Sequence, residues 1–223
     1  MKLSIIIPVL NEEANIECVL GSLSVLRGEG VQVVVVDGGS ADRTAELAAP
    51  LADLLLHSAC GRALQMNAGA QAASGEILLF LHADTVLPDN AHVLVSDALG
   101  LGRSWGRFDV AITGKAFMLN VVAWLMNRRS RLTGIATGDQ AIFVRRDAFF
   151  AVGGFPSQPL MEDIELSARL RRHSQPACLR ERVRTSGRRW EQKGVWCTIF
   201  LMWRLRFLYW LGSEPEKLAK AYR

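Results

Sequence analysis

Three acidic positions stand out in the 223-residue chain: Asp37 in VVVVDGGSADRT, Asp84 in LFLHADT, and the pair Glu162-Asp163 after the loop GGFPSQPL. Asp37 closes a β-branched run and is followed by two glycines, which permit a ligand to approach the backbone closely. A carboxylate there suits hydrogen bonds to a ribose hydroxyl or a base N–H. The other reading makes it a helix N-cap, although Ser40 is better placed for that. His82 and Asp84 lie two residues apart, so on an extended chain they face the same side. An oxygen-rich site of this kind suits Mg²⁺ or Mn²⁺ neutralising a diphosphate, whereas the structural alternative has Asp84 capping a helix that opens at Pro88. Glu162 and Asp163 sit at the predicted start of a helix, where the dipole favours carboxylates; the same position also suits a general base.

Two further clusters are candidates. Asp139 and Gln140, in the GDQ segment, could read sugar or acceptor hydroxyls or simply form a turn. Arg188, Arg189 and Trp190 combine guanidiniums that grip phosphate oxygens with an indole that stacks on a sugar or base. A solvated basic face is the alternative there. The segment Pro8-Val9-Leu10-Asn11-Glu12 is no dinucleotide-binding GxGxxG turn, and no P-loop motif occurs anywhere. A nicotinamide dehydrogenase and a P-loop NTPase are therefore disfavoured.

The elements that must position these residues read as follows. Strands are expected at KLSIIIPV, at VQVVVVD (31–37), at DLLLH (53–57) and at EILLFLHAD (76–84). Helices are expected between them, from Asn11 to about Leu26, from Ser40 to Ala49, and from Gly61 to Ala73. Near-continuous apolar strands alternating with helices predict a parallel sheet covered on both faces, with ligands beyond the carboxyl ends of its strands. Further on, strands are expected at 105–112, 138–146 and after Pro176, with helices around 115–129 and from Met161 to His173. The economical division is one α/β domain over 1–190, a Rossmann-like, mostly parallel sheet covered by helices, followed by a helical tail over 191–223.

Composition narrows the class. The chain has 26 Lys+Arg and 22 Asp+Glu, a net charge of +4, and half its residues are hydrophobic, which excludes a disordered chain. The charge is uneven: residues 164–223 hold 14 basic and 5 acidic residues, leaving 12 and 17 in residues 1–163. Cys18, Cys60, Cys178 and Cys197 form no CxxC pair, which argues against a zinc knuckle or disulfide scaffold. The N-terminal apolar stretch is too short for a signal peptide and no segment offers 18 uncharged apolar residues, so a cytoplasmic protein is expected. The basic residues lack interleaved stacking platforms, so no nucleic-acid partner is expected.

The segments SIIIPVLNEE, VVVVDGGSADRT, GRALQMNAGAQAASGEILLFLHADT and FVRRDAFFAVGGFPSQPLMEDIELSARL follow one another in this order. Together they resemble the family 2 glycosyltransferases of the GT-A fold, which are nucleotide-sugar-dependent and typically inverting. TSGRRWEQKG (185–194) is similar to an Arg-Trp element found after the acceptor region in some members. The resemblance implies that Pro8, Leu10 and Glu12 line a nucleotide pocket, with Asp37 on the base or ribose. Arg62 would lie near the nucleotide, supported by Asn67. It also implies that Asp84 holds the metal bridging the donor diphosphate and that Asp163, beside Glu162, is the catalytic base. The donor would be UDP- or GDP-linked; the acceptor is left open. In the family the metal motif is Asp-x-Asp; here His82 replaces the first acid, which implies a Mn²⁺ preference over Mg²⁺. That replacement also leaves room for a catalytically silent sugar-nucleotide-binding or scaffold protein working with a membrane partner.

The tail adds a separate expectation. Trp196, Phe200, Trp203, Phe207 and Trp210 fall on one stripe of a helix that is apolar on most sides, with Arg204 and Arg206 on its flanks. A helix of this kind over 195–212 meets a membrane surface, a second copy of the chain or its own domain. The first would place the protein peripherally on the inner face of the cell membrane.

Overall fold

The computed structural model describes residues 1–222; the side chain of Arg189, an expected phosphate contact, lies outside the described residues. Eight strands are described: β1 (Leu3–Val9), β2 (Gln32–Asp37), β3 (Leu54–His57), β4 (Ile77–Phe80), β5 (Thr85–Val86), β6 (Trp105–Thr113), β7 (Phe143–Arg145) and β8 (Ala177–Ser186). They form one sheet in the order β3-β2-β1-β4-β7-β6-β8-β5. The β3-β2-β1-β4 half is parallel, with Ile5 beside Val33 and Leu79; β7 joins it antiparallel, and β6 and β8 run parallel to each other.

The alternation of side chains along a strand divides the core into two layers. Ile5 and Ile7 of β1 point to one face, where they meet Ile16 and Leu20 of α1 (Ile16–Ser22) and Leu26 of α2 (Ser24–Gly28). Ile6 points to the other, where Val34, Val36 and Phe80 pack with Ala63, Met66 and Ala70, three residues from 62–72. Each of the Ile, Leu, Val, Met and Phe side chains among them, fully buried, contributes roughly 1.5–3 kcal/mol. The remaining helices are α3 (Thr44–Ala48), α4 (Arg62–Ala72), α5 (Ala91–Gly100), α6 (Met118–Thr133), α7 (Arg146–Ala151), α8 (Glu162–His173), α9 (Arg188–Lys193), α10 (Val195–Trp210) and α11 (Pro215–Tyr222). Gly69 lets α4 lie directly on the sheet, because a Cβ there would stand 2.5 Å from Ile6 Cγ2 and 2.9 Å from Val36 Cγ2.

Four elements differ from the sequence expectation. The strand expected over 76–84 ends at Phe80, and His82 to Asp84 enter a turn closed by the Thr85 N–H on the His82 carbonyl at 3.1 Å. His82 and Asp84 are therefore not alternate residues of a strand. The strand expected over 138–146 is split into a 3-10 turn (Gly138–Gln140), short β7 and α7. Thr137 and Gln140 close a reciprocal capping box there, a local hydrogen-bonding choice that outcompetes extension. The helix expected from Asn11 is two short ones, and α3 begins at Thr44 rather than Ser40. Arg43 occupies the N-cap without a side-chain cap, Asp42 Oδ1 accepts the Thr44 N–H at 3.0 Å, and the Ser40 hydroxyl is instead given to Asp37.

Candidate active site

A cavity of about 500 Å³ opens beyond the carboxyl ends of β1 and β4. Pro8 comes from the end of β1 and Glu12 from the segment after it; His82 and Asp84 follow β4. Arg62 enters from the start of α4, Asp139 from the 3-10 turn, and Glu162 and Asp163 from the first turn of α8. The opposite wall is apolar and comes from α6 and α10, with Trp190 of α9 and Tyr222 of α11 also present. The helix read as a tail thus forms part of the cavity wall. It is held there by Leu205 and by Leu218 of α11, both packed with Leu160 and Met161.

Asp163 is held in the cavity by two backbone N–H groups. Its Oδ2 accepts the Gly138 N–H at 2.8 Å and its Oδ1 accepts the Ile164 N–H at 2.7 Å. Burial pushes its pKa up, the neighbouring Glu162 carboxylate pushes it further, and the two backbone N–H groups and Arg62 pull it back; the result is about 6. Met161, immediately before α8, holds a left-handed φ of 66°, and Ala141, after the turn that supplies Gly138, one of 46°. Non-glycine residues in that region carry strain that the surrounding packing must hold, a feature concentrated at functional sites.

Glu162 is buried, with Oε1 3.7 Å from Arg62 Nη1. Burial lowers the Arg62 pKa, but the charges of Glu162, Asp139 and Asp163 outweigh it and hold the guanidinium above its ordinary value. Arg62 is nevertheless half open, with 53% of its side chain accessible on a cavity-lining position. It is a cation fixed by one carboxylate and presented to whatever anion enters.

His82 is engaged on both edges. Its Nδ1 lies 3.3 Å from Asp139 Oδ1, and its Nε2 edge packs so tightly on Gly138 that a Cβ there would overlap the ring. The expected metal-ligand role for His82 does not fit this packing: the imidazole instead braces the turn whose N–H holds Asp163. The Mn²⁺ preference argued from a histidine ligand loses its basis with it. Asp84 lines the cavity and, among the described residues, receives long hydrogen bonds from Thr85 Oγ1 at 3.3 Å and Thr185 Oγ1 at 3.5 Å. Among the described residues, no group of three or more His, Cys, Asp or Glu is arranged to hold a metal ion. One open carboxylate nonetheless fits a hard divalent cation that draws its other ligands from a diphosphate and water.

Other expected residues stand apart from the cavity wall. Asp37 is buried, and its carboxylate accepts the Gly39 N–H at 3.0 Å and the Ser40 hydroxyl at 2.5 Å, with His57 Nδ1 3.4 Å away. Burial raises its pKa, but the hydrogen bonds from Ser40, Gly39 and His57 prevail and hold it below the usual carboxylate value. Asp37 thereby shapes the loop after β2, while Ser40 Oγ in turn accepts the Asn11 N–H at 2.9 Å. Asn67 clips α4 to the loop before α8: its Nδ2 donates to the Phe155 carbonyl at 2.8 Å and its Oδ1 accepts the Phe155 N–H at 3.0 Å. Gln140 is fully buried and its amide serves Thr137 and Asn127. Leu10 and Arg188 are exposed.

Sequence reasoning missed Arg129. It lines the cavity from α6 with Val122, Leu125 and Met126, positions spaced three or four residues apart on one helix face. That periodicity was a usable signal. Burial lowers the Arg129 pKa and Arg107 lowers it further, against the opposing pull of Asp163 and Asp139.

With this geometry in place, the relationships are clear. Residues 4–149, well over half of the chain, match the glycosyl transferase family 2 domain, and the chain belongs to that family of glycosyltransferases. Its architecture is the GT-A fold. It is 25% identical over 178 residues to the poly-beta-1,6-N-acetyl-D-glucosamine synthase of Staphylococcus aureus, a match that takes in 72% of this chain and 43% of the relative. The chain therefore spans less than half the length of that curated relative. Among solved structures it superposes on S. aureus TarS 1-349 in complex with UDP-GlcNAc, with TM-score 0.68 and 18% identity over 83% of this chain and 58% of that one. It also superposes on the mannosyltransferase PcManGT from Pyrobaculum calidifontis in complex with GDP-Man and Mn²⁺, with TM-score 0.68 and 19% identity over 92% and 60% of the two chains.

Proposed function

We propose that the chain moves a sugar from a UDP- or GDP-linked donor to an acceptor hydroxyl, with inversion at the anomeric carbon. The observation that carries this reading is Asp163, a carboxylate held by two backbone N–H groups in the cavity wall, with its pKa raised to about 6. A base with a pKa just below neutrality is mostly ionised at work yet basic enough to take a proton as the new bond forms.

In this reading the acceptor hydroxyl lies against Asp163. Its oxygen attacks the anomeric carbon from the face opposite the diphosphate, its proton passes to the Asp163 carboxylate, and the electron pair of the broken bond leaves on the nucleoside diphosphate. Arg62, fixed by Glu162, meets the phosphate charge, and Asp139 lies within reach of donor-sugar or acceptor hydroxyls. Pro8 and Glu12 form the nucleotide side, with Asp37 setting the shape of the adjoining loop. A divalent cation on Asp84, Mn²⁺ or Mg²⁺, would supply charge neutralisation at the diphosphate when bound. The relatives support this assignment, since TarS and PcManGT are described in complex with UDP-GlcNAc and GDP-Man. Residues 1–190 carry the chemistry, and the segment 191–222 covers the acceptor side and offers its aromatic stripe to a membrane surface. Among the described residues no helix is long and apolar enough to cross a membrane.

The test is a screen of UDP- and GDP-sugars for hydrolysis and transfer with Mn²⁺ or Mg²⁺, comparing the wild type with Asp163→Asn. Turnover by the wild type and its loss in the variant support the reading. Donor binding without turnover in either protein would establish a silent binding module instead.

A further inference from the structure

The wall of the cavity facing Asp163 has a composition that sugar and nucleotide chemistry does not call for. Val122, Leu125 and Met126 of α6 and Ile199, Met202 and Trp203 of α10 make it apolar. Into this wall are set two arginines. Arg129 Nε and Nη2 and Arg206 Nε are buried and have no hydrogen-bond partner among the described residues. A buried guanidinium N–H left without an acceptor is destabilising, a penalty that a bound anion removes. The apolar lining also runs out to the surface. Trp203 and Leu125 both line the cavity and are 63% and 46% exposed. Beyond them lie Phe200, Phe207 and Trp210 on α10 and Trp124 on α6, all more than half exposed, with the Arg128 guanidinium 5.4 Å from the Trp124 ring. Aromatic side chains with arginines among them are the composition that settles at an anionic lipid–water boundary.

We propose that the acceptor is an anionic amphiphile: a lipid whose phosphate-bearing head sits at Arg129 and Arg206, whose hydroxyl reaches Asp163, and whose chain leaves between α6 and α10. This rests on the transferase reading for the hydroxyl's role, but the binding site itself does not. A guanidinium pair explains the anionic head, and the apolar wall that continues to an exposed aromatic stripe explains the chain. One site thus accounts for two features that a soluble sugar acceptor leaves without a purpose.

Titration calorimetry on the full chain with dodecyl phosphate, dodecanol and inorganic phosphate, all below micellar concentration, tests this. Dodecyl phosphate should bind at least tenfold more tightly than either dodecanol or inorganic phosphate. Arg206→Gln should weaken dodecyl phosphate tenfold or more while leaving UDP and GDP affinity unchanged. Leu125→Glu, at a half-exposed position that tolerates charge, should do the same by closing the chain exit. Equal binding of dodecanol and dodecyl phosphate overturns the anionic head. An Arg206→Gln variant that loses UDP or GDP affinity and keeps dodecyl phosphate assigns the arginine to the donor and overturns the proposal. Concentration-dependent dimerisation without alkyl phosphate binding overturns it in favour of a contact between copies. Dodecyl phosphate binding that depends on Arg206, in a protein that turns over no donor, supports this site while sinking the transferase reading.

Discussion

Replacing Asp163 by Asn should abolish transfer and at the same time change how the stability of the protein responds to pH. The native pKa of about 6, against 3.8 for an unperturbed carboxyl, means the folded protein holds a proton that the unfolded chain has already released. Stability contributed by this group therefore falls as pH rises from about 4 to about 6 and is flat above that. At about 1.4 kcal/mol per pH unit, the cost at pH 7 is on the order of 3 kcal/mol. Asparagine removes the charge and its repulsion by Glu162. It cannot accept from both Gly138 and Ile164, however, since one of its two positions is a donor, and that mismatch costs about 1–3 kcal/mol at every pH. The two effects nearly cancel at pH 7, whereas at pH 4 only the mismatch remains. The variant should therefore be close to the wild type at pH 7 and clearly less stable at pH 4, a swing of about 3 kcal/mol. Urea unfolding of both proteins at pH 4, 5, 6 and 7 measures it. A swing under about 1 kcal/mol would refute the raised pKa and, with it, the reason for choosing Asp163 as the base. The wild-type rate should fall tenfold per pH unit below about pH 6, with the same midpoint.

Three further outcomes follow from the contacts of the site. Asp84→Asn should remove Mn²⁺ binding measured by electron paramagnetic resonance in the presence of a nucleoside diphosphate, whereas His82→Ala should leave that affinity within about twofold, because both edges of the imidazole are used by protein contacts. Arg62→Ala should raise the donor KM and move the acidic limb of the pH–rate profile upward, since Arg62 is one of the groups holding the Asp163 pKa down; an unmoved limb would remove that coupling. Asn67→Leu should destabilise the fold by about 1–3 kcal/mol in urea unfolding through the lost Phe155 hydrogen bonds, with UDP affinity unchanged.

Much of the fold was legible because it rests on short-range pattern. β1, β2 and β4 are apolar at nearly every position, the signature of strands covered on both faces, and the helix from Glu162 to His173 was marked by acids in its first turn and bases in its last. The acidic residues at the strand ends and before α8 were equally visible. The types of residue and the order of the motifs were enough to place the chain among the glycosyltransferases.

What the tertiary structure decided is which atoms remain available. Asp37 and Gln140 had suitable chemistry, but their polar atoms are taken by neighbours that lie in loops or in a distant helix. His82 is taken by Asp139, a residue brought to it only when the 3-10 turn replaces the expected strand. Arg129 and Arg206 went the other way: the first was unremarkable in its helix pattern and the second was read only as a flank of the aromatic stripe, yet both place buried guanidinium nitrogens in the wall of one cavity. Local sequence specifies secondary structure through periodicity and capping, which act over a few residues. Hydrogen-bond satisfaction and desolvation depend on partners tens of residues away, so the charge state of Asp163 and the purpose of the apolar helix α10 emerge only when the chain is packed.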